Sequence, residues 1–303
     1  MDPHLQEPSN AGEPLPLASD PISLLRVVVG YDPADRQNII AVADLLASEF
    51  CSELLIVNAL SPVPSMLGVV GQTPESISAR MEELRASLET DLRRRGVTVP
   101  FKVLVDRDSP ANALVTTTRK YKADLLLVGT HGRYGLDQFL LGSVSQSVVG
   151  RVDCPVLVLG PQFEPRSNLF QTILFASDLD STGRASAQYA AQLAVRFCGD
   201  LLLLHVISEK PHAEGRMREW VEDNQTRKLN ALVAPEVLGE CNHRALIAYG
   251  KPAQEILAAA DLRRADLIVL GARKPHLMDD HASWSVLTEV LRNARCPVLI
   301  VSS

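Results

Sequence analysis

The sequence lacks any run of about 18 apolar residues, the length that a helix needs to cross a bilayer. It also lacks an excess of positive charge, since 30 Lys and Arg residues against 36 Asp and Glu residues give a formal net charge of -6. An acidic balance argues against non-specific binding to nucleic acid or to an anionic membrane face. We therefore expect neither a membrane protein nor a nucleic-acid-binding protein.

Cysteine is scarce, and no two cysteines have the Cys-x-x-Cys spacing of a metal or redox site. An odd count of 5 suits a reducing compartment, so we expect a cytoplasmic protein with buried thiols and no bound metal. The cysteines are Cys51, Cys154, Cys198, Cys241 and Cys296. Residues 1–22 have neither the basic nor the apolar segment of a secretory signal, and their prolines and acids predict a disordered acidic tail.

The chain contains one unit twice. Three landmarks recur 142 residues apart: Gly129 and Gly271 after an apolar run, Pro110 and Pro252 before Ala, and Cys154 and Cys296 before Pro-Val-Leu. A constant offset indicates tandem copies with no insertion between the landmarks. A length of 303 residues is also about that of two domains. We expect a first domain over 23–160, a linker over 161–169 and a second domain over 170–303.

A glycine-rich segment in the first copy carries the clearest chemical signal. It begins with Gly129-Thr-His-Gly132 after the apolar run Leu125–Val128 and ends with Gly142-Ser143 before Val144-Ser145. Glycines let backbone N–H groups approach a phosphate, and the N-terminus of the following helix favours negative charge. The residues predict a phosphate-binding loop between a strand and a helix.

Apolar runs alternate with segments of helical periodicity in both copies, which is typical of βα units on a parallel sheet. The best helix follows Pro74, and Gly96 provides its C-cap. Its apolar face, which we expect to be core, comprises Ile77, Met81, Leu84, Leu88 and Leu92. The expected strands are Arg26–Tyr31, Leu54–Asn58, Phe101–Val105, Leu125–Gly129 and Val156–Leu159, then Ile173–Ser177, Leu201–Val206, Arg244–Tyr249, Leu267–Gly271 and Val298–Val301.

From about Leu24 to Val301 the chain resembles a tandem universal stress protein. The G-x2-G-x9-G-[ST] pattern is similar to that family's ATP-binding signature, and it precedes a Cys-Pro-Val-Leu-Val last strand as it does in the family. The resemblance implies an α/β fold: two tandem five-stranded parallel-sheet domains, Rossmann-like and similar to adenine nucleotide alpha hydrolases, forming a pseudo-twofold pair through their last strands. It also implies ATP or another adenine nucleotide as ligand, with or without Mg²⁺. An unidentified regulatory protein partner is implied as well, and the resemblance allows whole chains to form a homodimer.

In an open parallel sheet, ligands bind at the carboxyl ends of the strands, where the strand order reverses. By resemblance Asp32 is the hydrogen-bond acceptor for adenine or ribose, although an Asp-Pro turn also explains it. Asp108 stands where the family has the glycine of Gly-x-Pro, and its side chain would crowd the sugar or repel phosphate. We assign no catalytic residue, and His131 reads as structural. The expected ligand-binding residues are Tyr31, Asp32, Asn58, Gly129, Thr130, Gly132, Arg133, Gly142, Ser143, Val144 and Ser145.

The second copy has lost part of the loop pattern, because Lys274 and Trp284 occupy the positions of Gly132 and Gly142. An indole fills the space that a phosphate needs near the backbone, so we expect this site to be weak or empty. Its candidate residues are Asp178, Gly271, Lys274 and Ser285. Four nearby residues, His276, Asp279, Asp280 and His281, have metal-capable side chains, but a charged surface loop explains them better.

Two classes of function remain open at this point. The first is a nucleotide-binding stress-response or regulatory protein, which the loop and the lack of a catalytic set favour. The second is a slow ATPase or nucleotidyl-transferring enzyme on the same scaffold. Such enzymes would call for a Ser-Gly-Gly-x-Asp-Ser loop or a His-x-Gly-His signature, and neither occurs in the sequence. Slow hydrolysis would need only a positioned water beside the loop.

Overall fold

The computed structural model describes residues 22–33, 38–60, 74–130, 143–166, 169–180, 183–208, 215–272 and 281–302, with the backbone alone at 143, 146 and 281–284. The strands of the first copy are β1 (Arg26–Gly30), β2 (Glu53–Ala59), β3 (Phe101–Asp106), β4 (Leu125–Gly129) and β5 (Val156–Leu159). Those of the second copy are β6 (Thr172–Ser177), β7 (Asp200–Ile207), β8 (His243–Tyr249), β9 (Leu267–Ala272) and β10 (Val298–Ser302). Every predicted strand is confirmed, with its bounds within one residue.

The strands of both copies form a single sheet in the order β3-β2-β1-β4-β5-β10-β9-β6-β7-β8. Strand pairs within each copy are parallel, and the pair β5–β10 is antiparallel. The copies therefore form the expected pseudo-twofold pair through their last strands. Val298 pairs with Val158 and Ile300 with Val156, and all four side chains are buried.

Helices cover both faces of the sheet, so the strands are apolar on both sides. Leu125–Val128 in β4 is a fully buried run of this kind. The helices of the first copy are α1 (Ile39–Phe50), α2 (Pro74–Arg94), α3 (Pro110–Tyr121) and α4 (Ser143–Val148). Those of the second copy are α5 (Gly183–Arg196), α6 (Arg216–Asn230), α7 (Pro235–Leu238), α8 (Pro252–Arg263) and α9 (His281–Asn293).

The predicted core face of α2 is only half right. Leu88 and Leu92 are buried, whereas Ile77, Met81 and Leu84 are only partly buried. The 21 residues of α2 span about 30 Å, while the six residues of the neighbouring β3 span about 20 Å. About the first seven residues of the helix, which include Ile77, therefore exceed the length of the strand beside it. Gly96, with φ of 81°, ends the helix as expected.

The prediction of buried thiols is wrong for two of the five cysteines. Cys154 and Cys296 are buried, and burial raises the pKa of each thiol to about 12. Cys51 and Cys198 are exposed, because each follows the first helix of its copy in a left-handed conformation, with φ of 54° and 51°, at the point where the chain turns back toward the sheet. All five cysteines are free.

The copies also meet at the C-terminal ends of α1 and α5. The rings of Phe50 and Phe197 lie edge to face with centroids 6.0 Å apart. Arg196 Nε lies 3.2 Å from Glu49 Oε1. Because α1 follows the end of β1 and α5 follows the end of β6, this contact joins the helices that begin beyond the two candidate sites.

The connector between the copies is held against the second copy. A Cβ at Gly160 would lie 2.4 Å from the Leu291 carbonyl oxygen, so only glycine fits at this close approach. The Glu164 N–H donates to the Arg295 carbonyl at 3.0 Å, and Phe163 is buried. The connector is mostly polar in composition, but it buries an apolar side chain and is bound to the second copy by a backbone hydrogen bond.

Candidate functional site

The strand order of the first copy reverses between β1 and β4, since β2 and β3 lie on one side of this pair and β5 on the other. Gly30 is in register with Val128 in the parallel β1–β4 pair. Tyr31 and Gly129, the next residues along the two strands, therefore come side by side about 4.8 Å apart. The fold brings the Asp32 segment and the start of the glycine segment to one point on the carboxyl edge of the sheet.

The backbone of Tyr31 is held on both sides by β2. Its N–H donates to the Val57 carbonyl at 2.9 Å. Its carbonyl accepts a 2.7 Å hydrogen bond from Asn58 Nδ2, and Asn58 is buried. The role of Asn58 in this structure is therefore to fix the end of β1.

The side chain of Tyr31 is held from the other direction, by the last turn of α2. Its hydroxyl donates to Asp91 Oδ2 at 2.5 Å. Arg95 Nε donates to the same carboxylate at 2.9 Å, and the Arg95 guanidinium carbon lies 5.8 Å from the Tyr31 ring centroid. These bonds lower the pKa of Asp91 below its usual value because they stabilise the ionised carboxylate, and the bond from Tyr31 has the largest effect.

The start of the glycine segment is attached to its neighbours. The Thr130 N–H and hydroxyl both contact the Leu159 carbonyl, at 3.1 and 3.2 Å. The buried hydroxyl of Ser145, in α4, donates to the Gly129 carbonyl at 3.1 Å. Strand β4 and helix α4 are thus tied directly across the base of the segment. Val144 is partly buried beside them.

Several predicted residues cannot be placed. Gly132, Arg133 and Gly142 lie outside the described residues, and so does His131. Ser143 begins α4, but its side chain also lies outside the description. The prediction that these residues bind a ligand therefore stays a prediction.

Asp108 lies immediately before α3, and its carboxylate turns back onto that helix. It accepts hydrogen bonds from the Ser109 N–H at 2.6 Å and from Asn112 Nδ2 at 3.1 Å. The bond from the Ser109 backbone is the main reason that the pKa of Asp108 lies below its usual value. The Ser109 hydroxyl also caps the helix. The carboxylate is thus engaged locally, which argues against the predicted crowding of a sugar.

The second copy reverses its strand order between β6 and β9, but different side chains stand there. His205 Nδ1 lies 2.9 Å from the Ser177 carbonyl. His205 thus binds the end of β6 as Asn58 binds the Tyr31 carbonyl at the end of β1. Since a carbonyl only accepts, Nδ1 carries the proton. Asp178 Oδ1 accepts the Asp180 N–H at 3.1 Å, and Leu179 has a φ of 65°. Asp178 is therefore part of a tight turn.

Gly271 has a packing role in the second copy. A Cβ there would lie 2.9 Å from Ser186 Oγ, and Ser186 is fully buried in α5. Ser285 is exposed at the start of α9. Lys274, His276, Asp279 and Asp280 lie outside the described residues, as do the side chains of His281 and Trp284. Among the residues that are described, no group of three or more His, Cys, Asp or Glu side chains could hold a metal ion.

Two features of the edge were missed from sequence. The Asp91–Arg95 pair has ordinary helical i, i+4 spacing, and nothing local indicates that it faces Tyr31, 60 residues earlier. His205 as the counterpart of Asn58 was missed because the two residues do not share the 142-residue offset of the landmarks, and only the pairing of Ser177 with His205 in β6 and β7 reveals it.

Comparison with known proteins follows the division into two copies. The model of the universal stress protein family matches residues 24–160 and 169–302. A universal stress protein of Mycolicibacterium smegmatis is 23% identical over 290 residues, covering 91% of this chain and 96% of that protein. A Thermus aquaticus universal stress protein, encoded in the QAH/OAS sulfhydrylase 3' region, is 32% identical over 134 residues, covering 44% of this chain and 96% of that protein.

Among solved structures, a universal stress protein from Archaeoglobus fulgidus matches with a TM-score of 0.64 at 17% identity. The match covers 91% of this chain and 96% of that one. At this identity the likeness concerns the fold alone. No helix within the described ranges is long and apolar enough to cross a membrane.

Proposed function

The chain belongs to the universal stress protein family, and we propose that it is a regulatory protein that binds one adenine nucleotide, ATP or a close analogue, in its first copy. The nucleoside lies beside Tyr31 and Asp32, and the phosphates lie on the segment from Gly129 to Ser143. Mg²⁺ accompanies the phosphates where the nucleotide carries two or more.

One observation supports this location above the others. The reversal of strand order puts the end of β1 next to the first residue of the glycine segment, as the register Gly30 to Val128 requires. A loop of the pattern G-x2-G-x9-G-S in that place offers backbone N–H groups and a helix start to a phosphate. Asp32 follows Tyr31, which lies one strand spacing from Gly129, and we assign its carboxylate to a ribose or a base.

The second copy supports a stoichiometry of one. Lys274 and Trp284 replace two glycines of the pattern. The third, Gly271, is explained by its contact with Ser186, and Asp178 by its turn with Asp180. Gly271 and Asp178, two of the family-like residues of the second edge, thus each have a structural reason to be there.

Binding rather than catalysis fits the side chains. Apart from the Asp32 carboxylate, which we assign to the ribose or base, the groups described around Tyr31 and Gly129 are amide, hydroxyl and backbone groups that bond to one another, and the carboxylate of Asp91 is engaged by Tyr31 and Arg95. A general base would need a free acceptor within reach of a reacting proton. We therefore propose that bound nucleotide changes the binding of a partner protein and is not turned over by catalysis.

Calorimetry on nucleotide-stripped protein tests the proposal. We expect ATP, ADP or AMP to bind with one site per chain. Two equivalent sites would contradict the assignment of binding to the first copy, and no binding of any adenine nucleotide would contradict the function. Product analysis after long incubation with ATP and Mg²⁺ separates a binder from a slow hydrolase.

A further inference from the structure

We propose that Asp91 and Arg95 are positioning residues for the nucleoside site, acting on Asp32 through Tyr31 and Pro33. The inference rests on the proposed function, because it concerns the affinity of the first copy for a nucleotide. It assigns a ligand-related role to the last turn of α2 and to the residue just beyond it.

The segment Tyr31–Pro33 is attached at three separate points. Asn58 Nδ2 holds the Tyr31 carbonyl at 2.7 Å, and Asp91 Oδ2 accepts the Tyr31 hydroxyl at 2.5 Å. Arg95 Nη2 lies 3.4 Å from the Pro33 carbonyl. Asp32 therefore lies between two residues that are each fixed from outside the segment.

Asp91 and Arg95 act together. Arg95 Nε binds the same carboxylate oxygen that accepts the Tyr31 hydroxyl, at 2.9 Å. Tyr31 is 3% exposed, and the Asp91 carboxylate accepts the hydrogen bond of its hydroxyl. Loss of Asp91 would therefore leave a buried donor without its acceptor and release Arg95 from the position in which it reaches Pro33.

The expected size of the effect follows from preorganisation. A segment that is ordered before the ligand arrives does not have to be ordered at the expense of binding energy. Fixing the backbone of one residue corresponds to about a tenfold change in a binding equilibrium. If the Asp91 cluster keeps the Asp32 backbone in its binding conformation, its loss should weaken nucleotide binding by about tenfold.

The second copy provides a matched control. Tyr249 donates to Glu222 Oε1 at 3.1 Å, and Arg218 Nε binds the same oxygen at 2.9 Å. The Arg218 guanidinium carbon lies 5.1 Å from the Tyr249 ring centroid. This cluster has the same chemistry, but it lies at the end of the edge strand β8, two strands away from β6.

The experiment measures ATP and AMP affinity by calorimetry in the full chain, well below its unfolding temperature. We expect Asp91→Ala, which removes the acceptor, to weaken both nucleotides by the same factor, about tenfold, since both contain the nucleoside. Asp91→Glu keeps a carboxylate and should recover part of the loss. Glu222→Ala should leave both affinities unchanged. If Asp91→Ala fails to fold, Tyr31→Phe removes only the hydroxyl and should weaken both nucleotides.

Three outcomes would overturn the positioning role. Wild-type affinity in both Asp91→Ala and Tyr31→Phe overturns it while leaving the proposed function intact. Equal weakening by Asp91→Ala and Glu222→Ala shows that the effect is a general loss of stability. Absence of nucleotide binding by the wild-type protein overturns the proposed function, and the positioning role with it.

Discussion

The two copies agree at the amino edge of the sheet and differ at the carboxyl edge. At the amino edge, Asp124 Oδ2 accepts the Arg26 N–H at 2.9 Å, and Asp266 accepts the Gln171 and Thr172 N–H groups at 2.9 and 3.1 Å. Each aspartate precedes the strand that pairs with the first strand of its copy. The same device thus starts the same strand pair in both copies.

At the carboxyl edge the corresponding places are filled differently. Asn58 holds the end of β1, and His205 holds the end of β6. The tyrosine, carboxylate and arginine cluster joins α2 to β1 in the first copy, but joins α6 to the edge strand β8 in the second. The contacts at the amino edge are therefore the same in both copies, whereas those at the carboxyl edge differ. This is expected if only one carboxyl edge has to hold a ligand in a defined position.

The largest effect should come from breaking the contact that unites the copies. Val298→Lys with Ile300→Lys puts two ammonium groups into the buried β5–β10 contact, where both native side chains are 0% exposed. The loss of apolar burial alone is about 4 kcal/mol, and desolvation of the charges adds to it. We expect the copies to separate and to unfold in urea independently of each other.

Leu262→Lys is the control for this pair, because Leu262 is 78% exposed and should tolerate the charge. Unchanged cooperativity and protease resistance in the double variant would mean that the last strands do not hold the copies together.

The next effect concerns the glycine loop. Gly142→Trp gives the first copy the residue that the second already has, and an indole beside the phosphates should abolish nucleotide binding while the domain stays folded. Calorimetry measures the affinity, and circular dichroism checks the fold. The reciprocal variant Trp284→Gly should leave binding in the first copy intact. Retained affinity in Gly142→Trp would show that the glycine pattern is not the phosphate site.

The sequence predicted the fold in detail because apolar runs and turn residues are local signals. All ten strands and the pairing of the last strands followed from the repeat and the family resemblance. Exposure was less predictable. The periodicity of α2 shows which face turns toward the sheet, but not where the sheet ends, so Ile77 and Met81 were assigned to the core. Cys51 and Cys198 were wrongly assigned to the interior because the exposed left-handed turns that follow α1 and α5 are not marked by glycine in the sequence.

The candidate site was predictable only where it depends on short motifs. The glycine pattern and Asp32 are visible in the sequence, whereas the bond between Tyr31 and Asp91 joins residues 60 positions apart. That bond depends on the path of α2 across the sheet, which no local pattern encodes. The packing of Ser186 against Gly271 is of the same kind, and it changes how the retained glycine should be interpreted.

A smaller effect should distinguish Asn58, which binds the end of β1, from His205, which binds the end of β6. Asn58→Ala leaves the Tyr31 carbonyl without its donor in a buried place, at a cost of about 1–3 kcal/mol in unfolding free energy. It should also weaken nucleotide binding, because Tyr31 adjoins Asp32. His205→Ala should reduce stability without changing affinity. Urea unfolding and calorimetry on both variants give the comparison, and an affinity loss in His205→Ala would place a functional site in the second copy.

The smallest effect is a difference in how far the pKa values of Asp91 and Glu222 shift when the neighbouring tyrosine loses its hydroxyl. The pKa of Asp91 is lowered mainly by the hydrogen bond from Tyr31, whereas the pKa of Glu222 is lowered mainly by that from Arg218. A depressed pKa stabilises the fold above the unfolded value of about 3.9 for Asp, and this contribution is lost as the pH falls through the folded pKa. Tyr31→Phe should therefore raise the pKa of Asp91 clearly and shrink the acid-sensitive part of stability. Tyr249→Phe should move the pKa of Glu222 less, since Arg218 remains. Titration of the carboxyl carbons by NMR measures both shifts, and equal shifts would mean that the two clusters share their charge stabilisation in the same way.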